Sequence, residues 1–135
     1  MDNRVLQNIE PEEVFHYFED LSRIPRESGN EKQATDYLIS FAKVHGLEWY
    51  RDDALNVLIR KEASPGYESH PGIILQGHTD MVCEKNENTV HDFAKDPIKI
   101  VVDGDKITAQ DTTLGADDGI GIALALALLA DDKLS

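Results

Sequence analysis

The stretch IILQGHTD, residues 73–80, is apolar at its start and ends in polar side chains that can bind a metal ion. Its first residues are apolar and are bounded by glycines, so they predict a short strand buried on both faces of a sheet. Because side chains alternate along a strand, His78 and Asp80 should project from the same side at its carboxyl end. Open α/β sheets place their chemistry at that end. The stretch therefore predicts an α/β fold with a functional site beside His78.

His78 carries an imidazole that can bind a metal ion, while the Asp80 carboxylate can accept the N–H of the other ring nitrogen. Such a hydrogen bond selects the tautomer of the ring and raises its basicity as a ligand. In the alternative interpretation, His78 is a hydrogen-bonded core histidine and Asp80 is a solvated acid. The His-x-Asp spacing alone does not decide between the two.

A second polar motif, GADDG at residues 115–119, precedes an apolar run that predicts a helix over residues 120–130, buried almost all round. This run is too short to span a bilayer, which takes about 20 apolar residues. In a structural interpretation, Asp117 is the N-cap of the helix and Asp118 is a first-turn acid favoured by the helix dipole. In a functional interpretation, a carboxylate on this glycine-rich turn bridges two metal ions about 3.5–4 Å apart.

Together, HTD at residues 78–80 and GADDG at residues 115–119 resemble the start of the catalytic domain of co-catalytic di-zinc exopeptidases. That group holds carboxypeptidase G and several bacterial dipeptidases. Further segments narrow the resemblance to the bacterial aminoacyl-histidine dipeptidases, the Xaa-His dipeptidases of the cytosolic carnosinase type. These segments are DMV at 80–82, KN at 85–86, TVHDF at 89–93, KDPI at 95–98 and TTLGAD at 112–117. The resemblance covers nearly the whole chain, and one departure is Cys83, where this group commonly has proline.

The resemblance implies that His78 binds one zinc ion, that Asp117 bridges two, and that Asp80 belongs to the catalytic machinery by orienting His78. Cobalt or manganese could substitute for zinc. It also implies a cis peptide bond between Asp117 and Asp118. The Glu-Glu pair, the later acidic ligand and the distant histidine that the group also uses would all follow Ser135.

The fold implied is α/β, with a mixed sheet flanked by helices, as in the phosphorylase/hydrolase-like catalytic domain of zinc exopeptidases. We expect residues 1–135 to be the N-terminal part of that domain, truncated and without a second domain, rather than a complete small domain. A βαβ arrangement would place another strand after the helix at residues 120–130.

The function implied is zinc-dependent hydrolysis of dipeptides of the Xaa-His type, such as β-alanyl-histidine, by a metal-bridged water in the full-length enzyme. The fragment itself is expected to be inactive. The rival interpretation is a non-catalytic acidic α/β interaction domain in which His78 and Asp117 are structural. The two differ in geometry, because ligation requires both side chains to converge on one cleft.

The composition limits the partners and the compartment. A net charge of −13 argues against nucleic acid, since phosphate binding is built on Lys and Arg. The single cysteine, Cys83, rules out an internal disulfide and favours a reducing compartment; we interpret it as an inert thiol rather than a ligand or nucleophile. The N-terminus lacks an apolar signal core. We therefore expect a cytoplasmic protein that binds neither nucleic acid nor a membrane. The resemblance implies that it acts on small peptides, and we also expect a homo-oligomer.

The remaining segments predict scaffold elements. An amphipathic helix is expected from Pro11 to about Arg23, and a second helix should follow the capping-box spacing of Ser28 and Glu31 and end at Gly46. Paired strands, a surface connection and a hairpin are expected at residues 47–51 with 55–61, 63–71, and 98–102 with 106–109.

Overall fold

The computed structural model describes residues 3–134. The expectations about the two ends of the chain rest partly on Met1, Asp2 and Ser135, which lie outside the described residues. Three helices and four short strands follow one another along the chain. They are α1 Glu12–Ser22, α2 Lys32–Val44, β1 Glu48–Arg51, β2 Val57–Arg60, β3 Ile100–Asp103, β4 Lys106–Ala109 and α3 Ala116–Ala130. The predicted α/β class is confirmed, and all three predicted helices and both predicted strand pairs are present.

The strands among residues 3–134 form two separate antiparallel pairs. In β1–β2, Trp49 lies opposite Ile59, and in β3–β4, Val101 lies opposite Thr108. Parallel pairing within the described range is limited to one bridge between Glu27 and Met81. That bridge joins the loop after α1 to the segment that carries His78.

Residues 73–75 do not form the buried strand that the sequence predicts. The exposed fractions of Ile73, Ile74 and Leu75 are 87%, 92% and 57%. The prediction was wrong for this part of the chain because a strand buried on both faces needs neighbouring strands and covering helices. Within residues 3–134 no other segment supplies them.

The core lies where α1 and α2 pack against α3. Val14 and Phe18 of α1 are buried together with Leu6 and Ala123, which confirms the apolar face predicted for α1. On the other side, Leu38 and Phe41 of α2 are buried with Leu126. α3, which begins at the site, is therefore held by both other helices.

The prediction that residues 120–130 are buried almost all round is wrong. Ala123 and Leu126 are buried, but Leu124 and Leu128 are exposed. The two core clusters cover only the side of α3 that carries Ala123 and Leu126. None of the helices formed by residues 3–134 combines the length and the apolar character needed to cross a bilayer.

α2 ends where the sequence predicts. Gly46 has a φ of +65°, which glycine adopts without steric cost. Its N–H donates to the Lys43 carbonyl at 3.2 Å, and the N–H of Leu47 donates to the Ala42 carbonyl at 2.8 Å. These bonds satisfy the last carbonyls of α2, as in a Schellman-type end.

Candidate metal centre

The structure brings His78 and Asp117 together, although they are 39 residues apart. The Nε2 atom of His78 lies 3.1 Å from Oδ1 of Asp117. His78 comes from the segment before Met81, which has no regular secondary structure. Asp117 comes from the start of α3, where its backbone is non-helical (φ −92°, ψ 106°). Both side chains reach solvent, with exposed fractions of 52% and 96%. The two side chains therefore converge, and they do so at an exposed surface.

Asp80 lies on the other side of the His78 ring, as the alternation along the chain predicts. Its Oδ1 atom and its backbone carbonyl oxygen both lie 3.1 Å from Nδ1 of His78. A carbonyl oxygen can only accept a hydrogen bond, so this contact places a proton on Nδ1. In the neutral ring, Nε2 is then the atom with a free lone pair.

This tautomer makes the contact with Asp117 informative. A neutral Nε2 and an ionised carboxylate are both acceptors, and two acceptors 3.1 Å apart need a cation between them. The cation can be a proton on Nε2 or a metal ion. Nitrogen and carboxylate oxygen are donor types that zinc binds in proteins.

The pKa values at the site follow from these contacts. Burial lowers the pKa of His78, but the hydrogen bonds with Asp117 and Asp80 outweigh burial and raise its pKa above the usual value. The hydrogen bond from Ser28 is the main cause that lowers the pKa of Asp80, and the charge of His78 adds to it. Asp80 is therefore held as a charged acceptor behind the His78 ring.

Ser28 was not predicted as a site residue. The sequence predicts a capping box at Ser28 and Glu31, but α2 has Glu31 as its N-cap, without a side-chain cap bond. Instead, the Ser28 hydroxyl donates a short hydrogen bond to Oδ2 of Asp80. A hydrogen bond to an ionised carboxylate is stronger than one between neutral groups. The Ser28 hydroxyl therefore bonds Asp80 instead of capping α2, and the predicted capping box does not form.

The start of α3 also differs from the structural interpretation of the sequence. The N-cap is Gly115, with a φ of +78°, and not Asp117. The expected cis peptide bond between Asp117 and Asp118 is present. Asp117 is thus left free of a capping role, with its carboxylate turned toward His78.

Asp118, next to Asp117, also connects the start of α3 to the segment that carries His78. Its carboxylate fills the space between Gly77 and Gly121, where a Cβ on either glycine would overlap it. The N–H of His78 donates to Oδ2 of Asp118 at 3.4 Å. The sequence interpretation of Asp118 as a first-turn acid did not include this long-range contact, although the flanking glycines were a signal for close approach.

Within residues 3–134, no group of three or more His, Cys, Asp or Glu side chains is arranged to hold a metal ion. Catalytic zinc sites use about three protein ligands. The donor types and the accessibility of His78 and Asp117 therefore fit part of a metal site. The described residues do not supply the further ligands of a complete site. The roles of His78 and Asp117 as ligands, and of Asp80 as a catalytic residue, stay predictions.

Cys83 is half-buried and unpaired in a disulfide. Burial is the main cause that raises the pKa of its thiol, and Glu27 adds to the increase. The thiolate is the reactive and metal-binding form of cysteine. The shift therefore supports the interpretation of Cys83 as an inert thiol.

Comparison with known proteins shows that the chain is similar to peptidases. No protein-family model matches the chain. The chain is 45% identical over 129 residues to the cytosol non-specific dipeptidase of Escherichia coli strain K12, covering 96% of this chain and 27% of that protein. It superposes on the crystal structure of aminoacylhistidine dipeptidase from Vibrio alginolyticus with a TM-score of 0.94 and 41% identity, covering 98% of this chain and 27% of that one.

A tripeptidase structure from Staphylococcus aureus matches with a TM-score of 0.71 and 26% identity, over 90% of this chain and 32% of that one. The chain thus spans about a quarter of the length of the two dipeptidases. The resemblance inferred from the motifs is confirmed: over nearly its whole length, the chain is similar to a cytosol non-specific dipeptidase and to an aminoacylhistidine dipeptidase.

Proposed function

We propose that residues 1–135 are the N-terminal part of the catalytic domain of a metal-dependent dipeptidase. The full protein hydrolyses dipeptides, and those of the Xaa-His type, such as β-alanyl-histidine, are the proposed substrates. One observation carries the proposal: His78 and Asp117 face each other at 3.1 Å with Asp80 behind the imidazole. The relatives at 45% and 41% identity are named as dipeptidases, which supports the same activity.

The proposed metal is zinc, with cobalt or manganese as substitutes. Nε2 of His78 and the carboxylate of Asp117 would hold it, with Asp117 shared between two ions. Bound zinc supplies Lewis-acid chemistry and lowers the pKa of water. The Asp80 carboxylate accepts a hydrogen bond from Nδ1–H of His78 and so keeps Nε2 directed at Asp117. Ser28 in turn holds Asp80.

We propose that the 135-residue chain alone has no dipeptidase activity. His78 and Asp117 give fewer protein ligands than the roughly three of a catalytic zinc site. The general base implied by the resemblance would follow Ser135, and such proton transfer contributes typically 10²–10⁴-fold. For the full protein, we propose a cytoplasmic location, because the Escherichia coli relative is named as a cytosol enzyme, and a homo-oligomeric state.

A Zn²⁺ titration of the purified chain, followed by ¹H–¹⁵N NMR, tests the proposal. We expect weak binding that shifts the amides around His78 and Asp117 together. His78→Ala and Asp117→Asn should abolish this common response, whereas His70→Ala and Asp103→Asn, at exposed positions outside the site, should preserve it.

Two outcomes would contradict the proposal. A wild-type chain whose amides near His78 do not respond to Zn²⁺ would favour a non-catalytic acidic interaction domain. Hydrolysis of β-alanyl-histidine by the purified chain, lost in His78→Ala, would contradict the proposed inactivity of the fragment.

A further inference from the structure

We propose that Arg26 is a positioning residue that sets the spacing between the segments carrying His78 and Asp117. This inference rests on the proposed function, because it assigns Arg26 to the assembly of that same site. It does not assign Arg26 any contact with a substrate.

The guanidinium of Arg26 joins the two segments directly. Its Nη1 donates to the carbonyl of Thr79 at 3.0 Å, and its Nη2 donates to the carbonyl of Gly115 at 2.8 Å. Thr79 lies between His78 and Asp80, and Gly115 lies two residues before Asp117. One planar side chain therefore connects two backbone points on either side of the site.

The backbone of Arg26 adds a third connection. Its carbonyl accepts the N–H of Met81 at 2.9 Å, next to the parallel bridge between Glu27 and Met81. The segment with His78 is thus bonded to Arg26 on both sides of Asp80, through Thr79 and Met81. From there, the side chain of Arg26 continues to the turn before α3.

The glycines around Asp117 make room for this guanidinium. A Cβ at Gly115 would lie 2.6 Å from Nη2 of Arg26, and a Cβ at Gly119 would lie 2.9 Å from it. Both distances are shorter than real Cβ contacts. Two of the glycines that surround the Asp117–Asp118 pair therefore face Arg26. For Gly119, which lies within α3, this close approach explains a residue that costs helix stability.

Packing alone does not account for an arginine here. Arg26 is only 1% exposed, its acceptors are two neutral carbonyls, and its Nε atom has no hydrogen-bond partner among the described residues. A buried charge is costly, and replacing one by a well-packed apolar side chain is often neutral or stabilising. What an apolar side chain cannot provide is a rigid fork of donors that holds two carbonyls at a fixed separation.

The test uses the complete 135-residue chain and Co²⁺ as the probe metal. The variants are Arg26→Met and Arg26→Lys, and the matched control is Arg51→Met. Arg51 makes a half-buried ion pair with Asp36 at 2.6 Å between β1 and α2, away from the site. Three quantities are measured: thermal stability, ¹⁵N order parameters of residues 77–81 and 114–119 without metal, and Co²⁺ affinity.

Both Arg26 variants should lose order in the two segments and bind Co²⁺ about 10–100-fold more weakly, as is typical when a partner that orients metal ligands is removed. Arg51→Met should lower stability while leaving the order of both segments and the Co²⁺ affinity unchanged. Lysine should not rescue the site, because its ammonium cannot present two nitrogens in one plane.

If Arg26→Met does not fold, Arg26→Lys and Gly119→Ala decide the question. The Cβ added at Gly119 displaces the guanidinium without removing its charge, so it should weaken Co²⁺ binding in the same direction. Folded Arg26→Lys and Gly119→Ala chains with wild-type order and wild-type Co²⁺ affinity would overturn the inference.

The failure of the proposed function would look different. A wild-type chain that does not bind Co²⁺ near His78 contradicts the metal site. The order parameters of the metal-free variants would still show whether Arg26 holds the two segments together.

Discussion

The imidazole of His78 contacts a carboxylate through each of its two nitrogens. Asp80 lies at Nδ1 and Asp117 lies at Nε2. In the absence of metal, these acceptors favour the imidazolium, and the pKa of His78 is raised despite the opposing effect of burial. A metal ion needs the neutral ring, so protons and metal compete for Nε2.

This competition predicts a pH dependence. Because the pKa of His78 is raised, its protonation begins to oppose Zn²⁺ binding at a pH above the usual histidine value of about 6.5. Below that pKa, the apparent Zn²⁺ affinity should fall about tenfold per pH unit, since one proton is displaced for each ion bound at His78. Zn²⁺ titrations between about pH 8 and pH 5 measure this slope across the range where histidine titrates.

Asp80→Asn is the informative variant for this slope. It removes a charge that raises the pKa of His78, so the fall in Zn²⁺ affinity should move to lower pH. An affinity that does not change with pH, or that falls at the same pH in Asp80→Asn, would contradict the assignment of His78 Nε2 as a ligand.

Single residues of the site could be predicted only where the signal is local or follows a known motif. The alternation of residues 78–80 placed Asp80 beside His78, and the GADDG motif pointed to Asp117. Arg26, Ser28 and Asp118 act through partners 53, 52 and 40 residues away. No spacing along the chain shows contacts over such separations, and the only sequence signal was the excess of glycine around Asp117.

Among the elements, those with their own local signals were predicted well. α1 and α2 have apolar residues at helical spacing, and the hairpin of β3 and β4 has glycine in its turn. The strand at residues 73–75 was predicted from a short apolar run between glycines. Its burial depends on neighbours that residues 3–134 do not supply, so local pattern could not determine it.

The end of α2 offers a test of one such local signal. Gly46→Ala should destabilise the chain by about 1 kcal/mol, because an alanine in the left-handed region costs roughly 1–2 kcal/mol. A Cβ at Gly46 would meet nothing within 4 Å, so the effect isolates the φ of +65° from any steric clash. Urea denaturation followed by circular dichroism measures the change.

Gly72→Ala is the matched control. A Cβ there also meets nothing within 4 Å, and Gly72 has no positive φ. It should leave stability unchanged or raise it slightly by reducing the entropy of the unfolded chain. Gly46→Asn should cost less than Gly46→Ala, since asparagine tolerates the left-handed region. Equal effects of alanine at Gly46 and Gly72 would contradict the role of Gly46 as the stop signal of α2.

For the whole molecule, two properties oppose each other. The net charge of −13 favours separate chains through repulsion. The segment at residues 73–75, which has no regular secondary structure, nevertheless exposes three large apolar side chains in a row, and Val82 farther along the chain is also exposed. Its backbone is not paired in either of the two sheets among residues 3–134. Unpaired backbone groups beside exposed apolar side chains can pair with another chain, as those of an edge strand do.

We therefore expect the 135-residue chain to form discrete oligomers rather than a precipitate, with residues 73–75 in the contact. Raising the salt concentration screens the repulsion, since the Debye length falls to about 3 Å at 1 M, and should shift the population toward larger species. Light scattering over a salt series measures this. Ile74→Lys should reduce the association because it places a charge in the exposed apolar segment.

Val44→Lys is the control that separates the effect of a charge within residues 73–75 from the effect of a change in net charge. Val44 is also largely exposed, but it ends α2 and does not belong to the unpaired segment. Both variants change the net charge by the same amount, so repulsion between chains changes equally in the two. If Val44→Lys reduces association as much as Ile74→Lys, charge and not the segment controls it. A monomer at every protein and salt concentration would mean that exposed apolar side chains at residues 73–75 do not drive pairing in this molecule.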